Sequence, residues 1–173
     1  MKDLPVCPLC GSSNTIKVKD FYHCNDCLSD FGRQPKADDG TPMIEAVKGL
    51  RFKYGDISTG SIRERFNEEG GVCLYEITDT NGGNLNKVNG VLTPEEWKGL
   101  KAKLIEELFL GDWSKNYIPI NDGRAVQGNN AWSLDVVVSD DETYSFSGFD
   151  AFPIYWDEFY QIVDSFAAKL GEL

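Results

Sequence analysis

The stretch CPLCGSSNTIKVKDFYHCNDC, residues 7–27, contains four of the five cysteines of this 173-residue chain. Its two C-x-x-C pairs flank 13 residues, which is enough for one β-hairpin, TIKVK going out and DFYH coming back. Such a hairpin brings the two pairs together. Zn²⁺ takes four tetrahedral ligands in structural sites, and thiolate is a favoured donor there. The spacing therefore predicts one structural Zn²⁺ held by Cys7, Cys10, Cys24 and Cys27.

Two other uses of paired cysteines fit this stretch less well. A thioredoxin-like redox site needs one C-x-x-C next to a βαβ pattern. Disulfides need an oxidising compartment, whereas the start MKDLPVCPLC lacks the apolar segment of a secretory signal. We therefore expect a reducing, cytoplasmic location.

His23 is the single histidine and could replace one ligand, but we expect it to be a strand residue beside Cys24. A catalytic zinc usually has three protein ligands and an open position for water. Four cysteines fill the coordination shell, so the zinc is predicted to be structural.

Residues 4–33, with the pattern CPLCGS…YHCNDCLSDFG, resemble a zinc ribbon of the kind found in transcription, replication and ribosome-associated proteins. The resemblance implies the same four cysteine ligands. It implies no function, because ribbons occur in many unrelated settings. A segment of this length buries too little surface to fold alone, so metal binding would supply much of its folding free energy.

The polar stretch RQPKADDGTP, residues 33–42, has two prolines and a glycine and no apolar periodicity, which is typical of a linker. We therefore divide the chain into a zinc ribbon over 1–36, a linker over 37–42 and an acidic α+β domain over 43–173. Residues 1–36 carry five basic and four acidic residues, a net of +1, and residues 37–173 carry 12 and 24, a net of −12. This balance disfavours a nucleic-acid partner, because phosphates attract lysine and arginine.

Alternating apolar residues predict several strands in the larger domain. MIEAVKGLRFKYG, residues 43–55, is expected to be a half-buried strand, whereas the polar SIRERFNEEGG, residues 61–71, is expected to be a loop or a short helix. A hairpin is predicted over 72–92, with a strand over 72–78 and a turn at 81–83. A second hairpin is predicted over 131–148, with its turn at Asp140 and Asp141.

Two main helices are predicted. In LTPEEWKGLKAKLIEELFLG, residues 92–111, Thr93 is a good N-cap, Pro94 fits the first helical position, and Glu96 completes a capping box. Its apolar stripe is Trp97, Leu100, Leu104 and Leu108, and Gly111 is expected to end it. The last helix, over roughly 155–170, has the stripe Trp156, Phe159 or Tyr160, Val163, Phe166 and Leu170. The predicted fold class is α+β, with an antiparallel sheet covered on one face.

The segments GNNAWSLDVVV and SGFDAFPIYWDEF resemble a recurrent C-terminal part of bacterial and phage-associated α+β proteins of unknown function. The resemblance implies kinship of fold and a bacterial source. In this motif Gly148 is expected to permit a bend, Asp150 to cap the helix and Pro153 to start it. The matching residues are Trp132, Gly148, Asp150, Ala151, Phe152, Pro153 and Trp156.

No catalytic residues are predicted. The one histidine leaves no Ser-His-Asp or Cys-His arrangement outside the ribbon, and no phosphate-binding or nucleophile motif is present. Cys73 is expected to be a buried core residue, and the acidic residues 140–142 a solvated turn. Trp97, Trp132 and Trp156 are expected in the core, and Trp113 and Tyr117 on the surface.

The first functional hypothesis is a non-enzymatic interaction protein, in which the ribbon and the acidic domain bind a protein partner. The second is nucleic-acid binding through the ribbon. A third takes the acidic domain as a mimic of nucleic acid that occupies a basic protein. No apolar run approaches the roughly 20 residues of a membrane span. The second hypothesis would use Lys2, Lys17, Lys19, Arg33 and Lys36, with Phe21 and Tyr22 as stacking groups.

Overall fold

The computed structural model describes residues 3–56, 58–119 and 129–172. It contains a three-stranded sheet near the N-terminus, a seven-stranded sheet, and three α-helices. The α+β class and the small cysteine-bearing N-terminal sheet agree with the sequence prediction.

The N-terminal sheet is the predicted hairpin with one short strand added. Strands β1 (Thr15–Val18) and β2 (Phe21–Cys24) are antiparallel, with Thr15 opposite Cys24 and Val18 opposite Phe21. Strand β3 (Asp30–Phe31) pairs with β2 on its other side.

The polar segment after β3 is packed against the rest of the chain. Ala37 is buried, Lys36 forms an isolated bridge with Pro42, and the Asp38 amide donates to Glu142 at 2.8 Å. Pro42 then begins a single helical turn, α1 (Met43–Ala46).

The strand predicted over 43–55 therefore starts later, and β4 is Gly49–Asp56. The prediction was wrong for 43–46 because buried Met43 and Ala46, three residues apart, fit one face of a helical turn.

The large sheet has the order β7-β6-β5-β4-β9-β10-β8. All its neighbours are antiparallel except β8, which is parallel to β10. Both predicted hairpins are confirmed, as β6–β7 and β9–β10. The remaining strands are β5 (Gly60–Glu69), β6 (Val72–Asp79), β7 (Asn86–Leu92), β8 (Asn116–Tyr117), β9 (Asn130–Val137) and β10 (Thr143–Phe149).

Strand β5 corrects the expectation of a loop or helix over 61–71. It is the longest strand in the described part of the chain, and its Ile62, Glu64 and Phe66 point to the core side. The intervening Arg63 and Arg65 are exposed. The stretch has a polar composition because one of these inward positions is a glutamate and every outward position is polar or charged.

Both long helices lie on the same face of the large sheet. Helix α2 (Pro94–Ala102) has the predicted capping box, with Thr93 and Glu96 exchanging hydrogen bonds. Its Trp97 ring stacks on Phe66 with centroids 6.3 Å apart. Helix α3 (Trp156–Ala167) packs Phe159 edge-on against Phe52 at 5.1 Å. The opposite face of the sheet has no helix over it in the described residues.

The end of the first long helix differs from the prediction. After α2 the chain widens into a π-helical turn over Lys103–Glu107, and Phe109 adopts the left-handed conformation at φ 53°. The helical path thus ends at Phe109 and not at Gly111.

The core takes up both aromatic residues that were expected on the surface. Trp113 is 5% exposed, and its indole nitrogen donates to the Leu108 carbonyl at 2.9 Å. Tyr117 is half-buried against Trp132, with ring centroids 5.7 Å apart. Tyr117 on two-residue β8 lies opposite Gly148 of β10, and Gly148 lies opposite Trp132 of β9, so the Tyr117 ring reaches Trp132 across the glycine. Cys73 is buried, as predicted.

The C-terminal motif has a different local structure from the one expected. A Cβ on Gly148 would overlap the Trp132 indole and the Ala151 carbonyl oxygen, so glycine is required there by close packing and not by a bend. Asp150 accepts a hydrogen bond from the Asn130 amide at 3.2 Å and does not cap α3. The N-cap of α3 is Tyr155.

Candidate metal centre

The structure brings the four predicted cysteine ligands into one cluster. Their sulfurs all lie within 4.8 Å of one another, with Cys7 and Cys27 3.7 Å apart and Cys10 and Cys24 3.6 Å apart. A Zn–S bond of about 2.3 Å requires tetrahedral sulfurs about 3.8 Å apart. The cluster thus has the dimensions of a tetrahedral thiolate site.

Two similar backbone turns place these sulfurs. The Gly11 amide donates to the Cys7 carbonyl, and the Leu28 amide donates to the Cys24 carbonyl, both at 2.9 Å. Gly11 and Leu28 occupy matching positions, with φ of 78° and 60°. The second turn therefore has a leucine where the first has a glycine.

Hydrogen bonds also join the two turns to each other. Asp26 accepts from the Ser12 hydroxyl and from the Asn14 amide nitrogen, the latter at 2.8 Å. The Asn25 amide nitrogen donates to the Asn14 side-chain oxygen at 3.0 Å. The polar residues of the stretch thus fix the spacing of the two cysteine pairs.

Neighbouring groups shift the pKa values of two of these thiols in opposite directions. A hydrogen bond from the Ser12 backbone lowers the pKa of Cys10, but burial and the three other sulfurs outweigh it and raise that pKa to about 12. Hydrogen bonds from Ser29 lower the pKa of Cys27 to about 6. Four thiolates this close repel one another, so a cation between them is what would let all four ionise together.

The donor set fits a thiophilic divalent cation. Among the described residues it consists of four sulfurs with no oxygen or nitrogen ligand, and Cys7 and Cys24 are fully buried. His23 lies outside the cluster, because its Nδ1 pairs with Asp30 on the neighbouring strand at 2.8 Å. An ion held by these sulfurs would have no coordination position left for a substrate.

An aromatic joint, defined here as Tyr22, Phe31, Phe109 and Tyr155, attaches the metal centre to the rest of the chain. Phe31 is fully buried, and its ring centroid lies 5.4 Å from that of Tyr22 and 5.2 Å from that of Phe109. Phe109 also contacts Tyr155, with centroids 5.6 Å apart. Phe31 and Phe109 belong to the same buried cluster as Cys7 and Cys24, so the joint is continuous with the sulfur cluster.

Two long-range hydrogen bonds reinforce the aromatic joint. The Tyr155 hydroxyl donates to the Val6 carbonyl at 2.7 Å, and the Gly32 amide donates to the Asp112 carboxylate at 2.8 Å. Burial raises the pKa of Tyr155 to about 12, so this hydroxyl keeps its proton and remains a donor. The N-terminal sheet is therefore fixed to the segments just after α2 and just before α3.

The ribbon residues proposed to contact nucleic acid are only partly free. Tyr22 belongs to the aromatic joint, and the Arg33 guanidinium lies 3.6 Å from the Phe21 ring centroid. Lys17, Lys19 and Arg33 are not buried, and Lys2 lies outside the described residues. The predicted stacking surface is thus reduced to the uncovered side of Phe21.

Sequence reasoning missed two sets of residues. Phe109 was passed over because it lies off the apolar stripe of the predicted helix. The second set is a group of cations on the uncovered face of the large sheet, which comprises Arg51, Lys53, Arg63 and Arg65. The signal was present, since basic residues alternate with core residues in both LRFKY and SIRERF.

The chain matches no protein-family model, no curated protein and no solved structure at a significant level. The resemblance of the C-terminal segments to bacterial and phage-associated proteins stays a prediction. None of the helices in the described part of the chain combines the length and the apolar character needed to cross a membrane.

Proposed function

We propose that this is a non-enzymatic, zinc-containing interaction protein of a reducing, cytoplasmic compartment. Cys7, Cys10, Cys24 and Cys27 hold one structural Zn²⁺, and the aromatic joint fixes the resulting ribbon to the acidic α+β domain. The observation that supports the proposal is the all-sulfur donor set, which is complete for zinc and would leave the ion no open coordination position for a substrate. The ion would supply folding free energy and rigidity to the N-terminal sheet.

The two cysteine turns are proposed as the surface that binds a protein partner. Leu9 is 47% exposed in the first turn, and Leu28 is 74% exposed in the second. Left-handed backbone at a bulky residue costs roughly 1–3 kcal/mol, and the fold buries only a small part of the Leu28 side chain in compensation. Gly11 shows that the same turn forms with glycine. An exposed leucine kept at a strained position is typical of a recognition surface.

The test begins with elemental analysis of the purified protein, in which one zinc per chain is expected. Cross-linking and affinity capture from the source cell then compare the wild type with Leu28→Ala. Leu85→Ala is a matched control, since Leu85 is similarly exposed on the large domain. A specific protein should be retained by the wild type and by Leu85→Ala and lost by Leu28→Ala. A fully folded protein without metal, or equal capture by all three proteins, contradicts the proposal.

A further inference from the structure

The uncovered face of the large sheet has a compact group of cations, which we call the basic block: Arg51, Lys53, Arg63 and Arg65. All four side chains are exposed, and they alternate with core residues along β4 and β5. The strand register places Arg51 directly opposite Arg65 and Lys53 directly opposite Arg63. The block thus consists of two cations on β4 facing two cations on β5.

This arrangement is unfavourable for the sheet itself. Like charges directly opposite on neighbouring strands destabilise the pairing. In the described part of the chain no member of the block lies within 4.0 Å of a carboxylate, although Lys48, Lys87 and Lys101 all form ion pairs. Two carboxylates lie directly opposite members of the block, Asp135 opposite Arg51 on β9 and Glu76 opposite Arg65 on β6. Both have other partners: Asp135 Oδ1 accepts a hydrogen bond from the Ser145 hydroxyl at 2.7 Å, and Glu76 pairs with Lys87 at 2.7 Å.

The charge of the whole chain makes the block more unusual. The chain has a net charge of −11, so everything outside these four residues sums to −15. A chain with 28 acidic residues nevertheless gives none of these four cations an ion pair among the residues that the structure describes. Natural sequences break such local rules mainly at functional sites. The net charge of −12 for residues 37–173 therefore conceals a local surface suited to anions.

We infer that the basic block binds the phosphate backbone of single-stranded nucleic acid. Residues i and i+2 of a strand are about 6.6 Å apart and neighbouring strands about 4.8 Å apart. The block therefore presents two pairs of cations, suited to two successive phosphates of one backbone. It is too small to contact both strands of a duplex across a groove. Three of the four cations are arginines, whose planar fork matches phosphate oxygens.

Two shallow clefts extend this surface on either side of the block. One, of about 420 Å³, is lined by Lys53 and Arg63 together with Ser61 and Ser133, and its lining also includes the carboxylate of Asp56. The other, of about 540 Å³, continues from Arg65 and is lined by both polar and apolar residues. Bases have polar edges and apolar faces, and this second lining offers partners for both. It includes Asn67, Asn89, Leu74 and Val91, and also the carboxylates of Glu69 and Glu76.

The test is fluorescence anisotropy of a labelled oligothymidylate, about 12 nucleotides long, with the full-length zinc-loaded protein. Four contacts to a single strand give a slope of log affinity against log salt of about −2.8. Affinity should then fall about 50-fold between about 50 mM and about 200 mM salt. For the double variant Arg63→Gln, Arg65→Gln we expect a slope of about −1.4 and a fall of about 7-fold. Its thermal midpoint should rise, because the paired like charges are removed.

A matched control is Lys98→Gln, Lys103→Gln, which changes the net charge equally but alters exposed residues of the helical layer. It should bind like the wild type. The pair Lys17→Gln, Arg33→Gln makes the same change in the ribbon and should also bind normally. If Arg63→Gln, Arg65→Gln lowers the thermal midpoint, the pair Arg51→Gln, Lys53→Gln on β4 is measured instead. It also removes two cations of the block and should show the same reduced salt slope.

Three results overturn the inference. They are no binding even at low salt, an unchanged slope in both block variants, and loss of binding in the ribbon variant alone. A labelled oligoglutamate of equal length serves as the competing anion, and tighter binding of that peptide would assign the block to an acidic protein instead. None of these results bears on the proposed ribbon surface, which is tested separately through Leu28.

Discussion

Glu64 provides the most direct test of the described packing. The residue is 1% exposed, and neither oxygen of its carboxyl group has a hydrogen-bond partner among the residues that the structure describes. The cavity beside it is about 10 Å³, at the lower limit for one water, and its lining includes Tyr54, Tyr160 and Asp164. Burial, with a smaller contribution from the Asp164 charge, raises the pKa of Glu64 to about 9. The carboxyl group is therefore protonated in the folded protein at neutral pH.

The raised pKa determines how stability changes with pH. Glu64 titrates near 4.5 in the unfolded chain and near 9 in the folded one, so between these values only the folded protein holds the proton. The free energy of unfolding then decreases as pH rises, by about 1.4 kcal/mol per pH unit. The contribution of Glu64 protonation to the free energy of unfolding is fully present below pH 4.5 and is lost progressively as the pH rises to 9. At pH 7 the loss is about 3 kcal/mol.

The substitution Glu64→Gln replaces the carboxyl group with a neutral group of the same shape. Its advantage over the wild type in free energy of unfolding should grow by about 3 kcal/mol between pH 6 and pH 8. Urea unfolding followed by tryptophan fluorescence measures this difference, and titration of the cysteine cluster cancels because both proteins contain it. Glu69→Gln, at an exposed position of the same strand, should show no such trend. A difference between Glu64→Gln and wild type that stays constant with pH would refute the described burial.

Three further substitutions test the packing and the helix cap. Phe109→Ala should lower the free energy of unfolding by about 3–4 kcal/mol in chemical denaturation, because it removes the ring at the centre of the aromatic joint. It should also speed the release of zinc to a chelator, and an unchanged release rate would show that the ribbon does not depend on this contact. Thr93→Ala should lower the free energy of unfolding by about 1 kcal/mol and Thr93→Ser should restore it, so equal stabilities would argue against the capping box. In thermal unfolding, Gly148→Ala should destabilise the folded protein by more than about 2 kcal/mol, because the added methyl group overlaps Trp132. Gly99→Ala, at an open helical site, should instead stabilise it by up to about 1 kcal/mol, and the reverse order would contradict the described packing.

The features that were predictable from sequence are those fixed by local chemistry. Two C-x-x-C pairs at hairpin spacing place four sulfurs together whatever the rest of the chain does. The capping box at Thr93 is likewise a pattern of neighbouring residues, and it was predicted to the residue. Both confirmed hairpins have turns marked by residues that favour them, at 81–83 and at Asp140–Asp141.

The features that were missed depend on distant parts of the chain. Strand β5 lies between β4 and β6, and its pairing on both sides outweighs its polar composition. Trp113 is buried because residues far along the chain, including Trp132 and Phe159, surround it. The basic block was invisible to a count of charges per domain, since it arises only when two strands pair in one register.

The aromatic joint has a consequence for synthesis of the chain. The cysteine-bearing segment leaves the ribosome well before the residues that complete its docking surface, Phe109 and Tyr155. Phe31 therefore lacks the cover of Phe109 until residue 109 has emerged. Nascent chains halted before residue 109 should display this hydrophobic side chain to chaperones, and chains halted beyond residue 155 should conceal it.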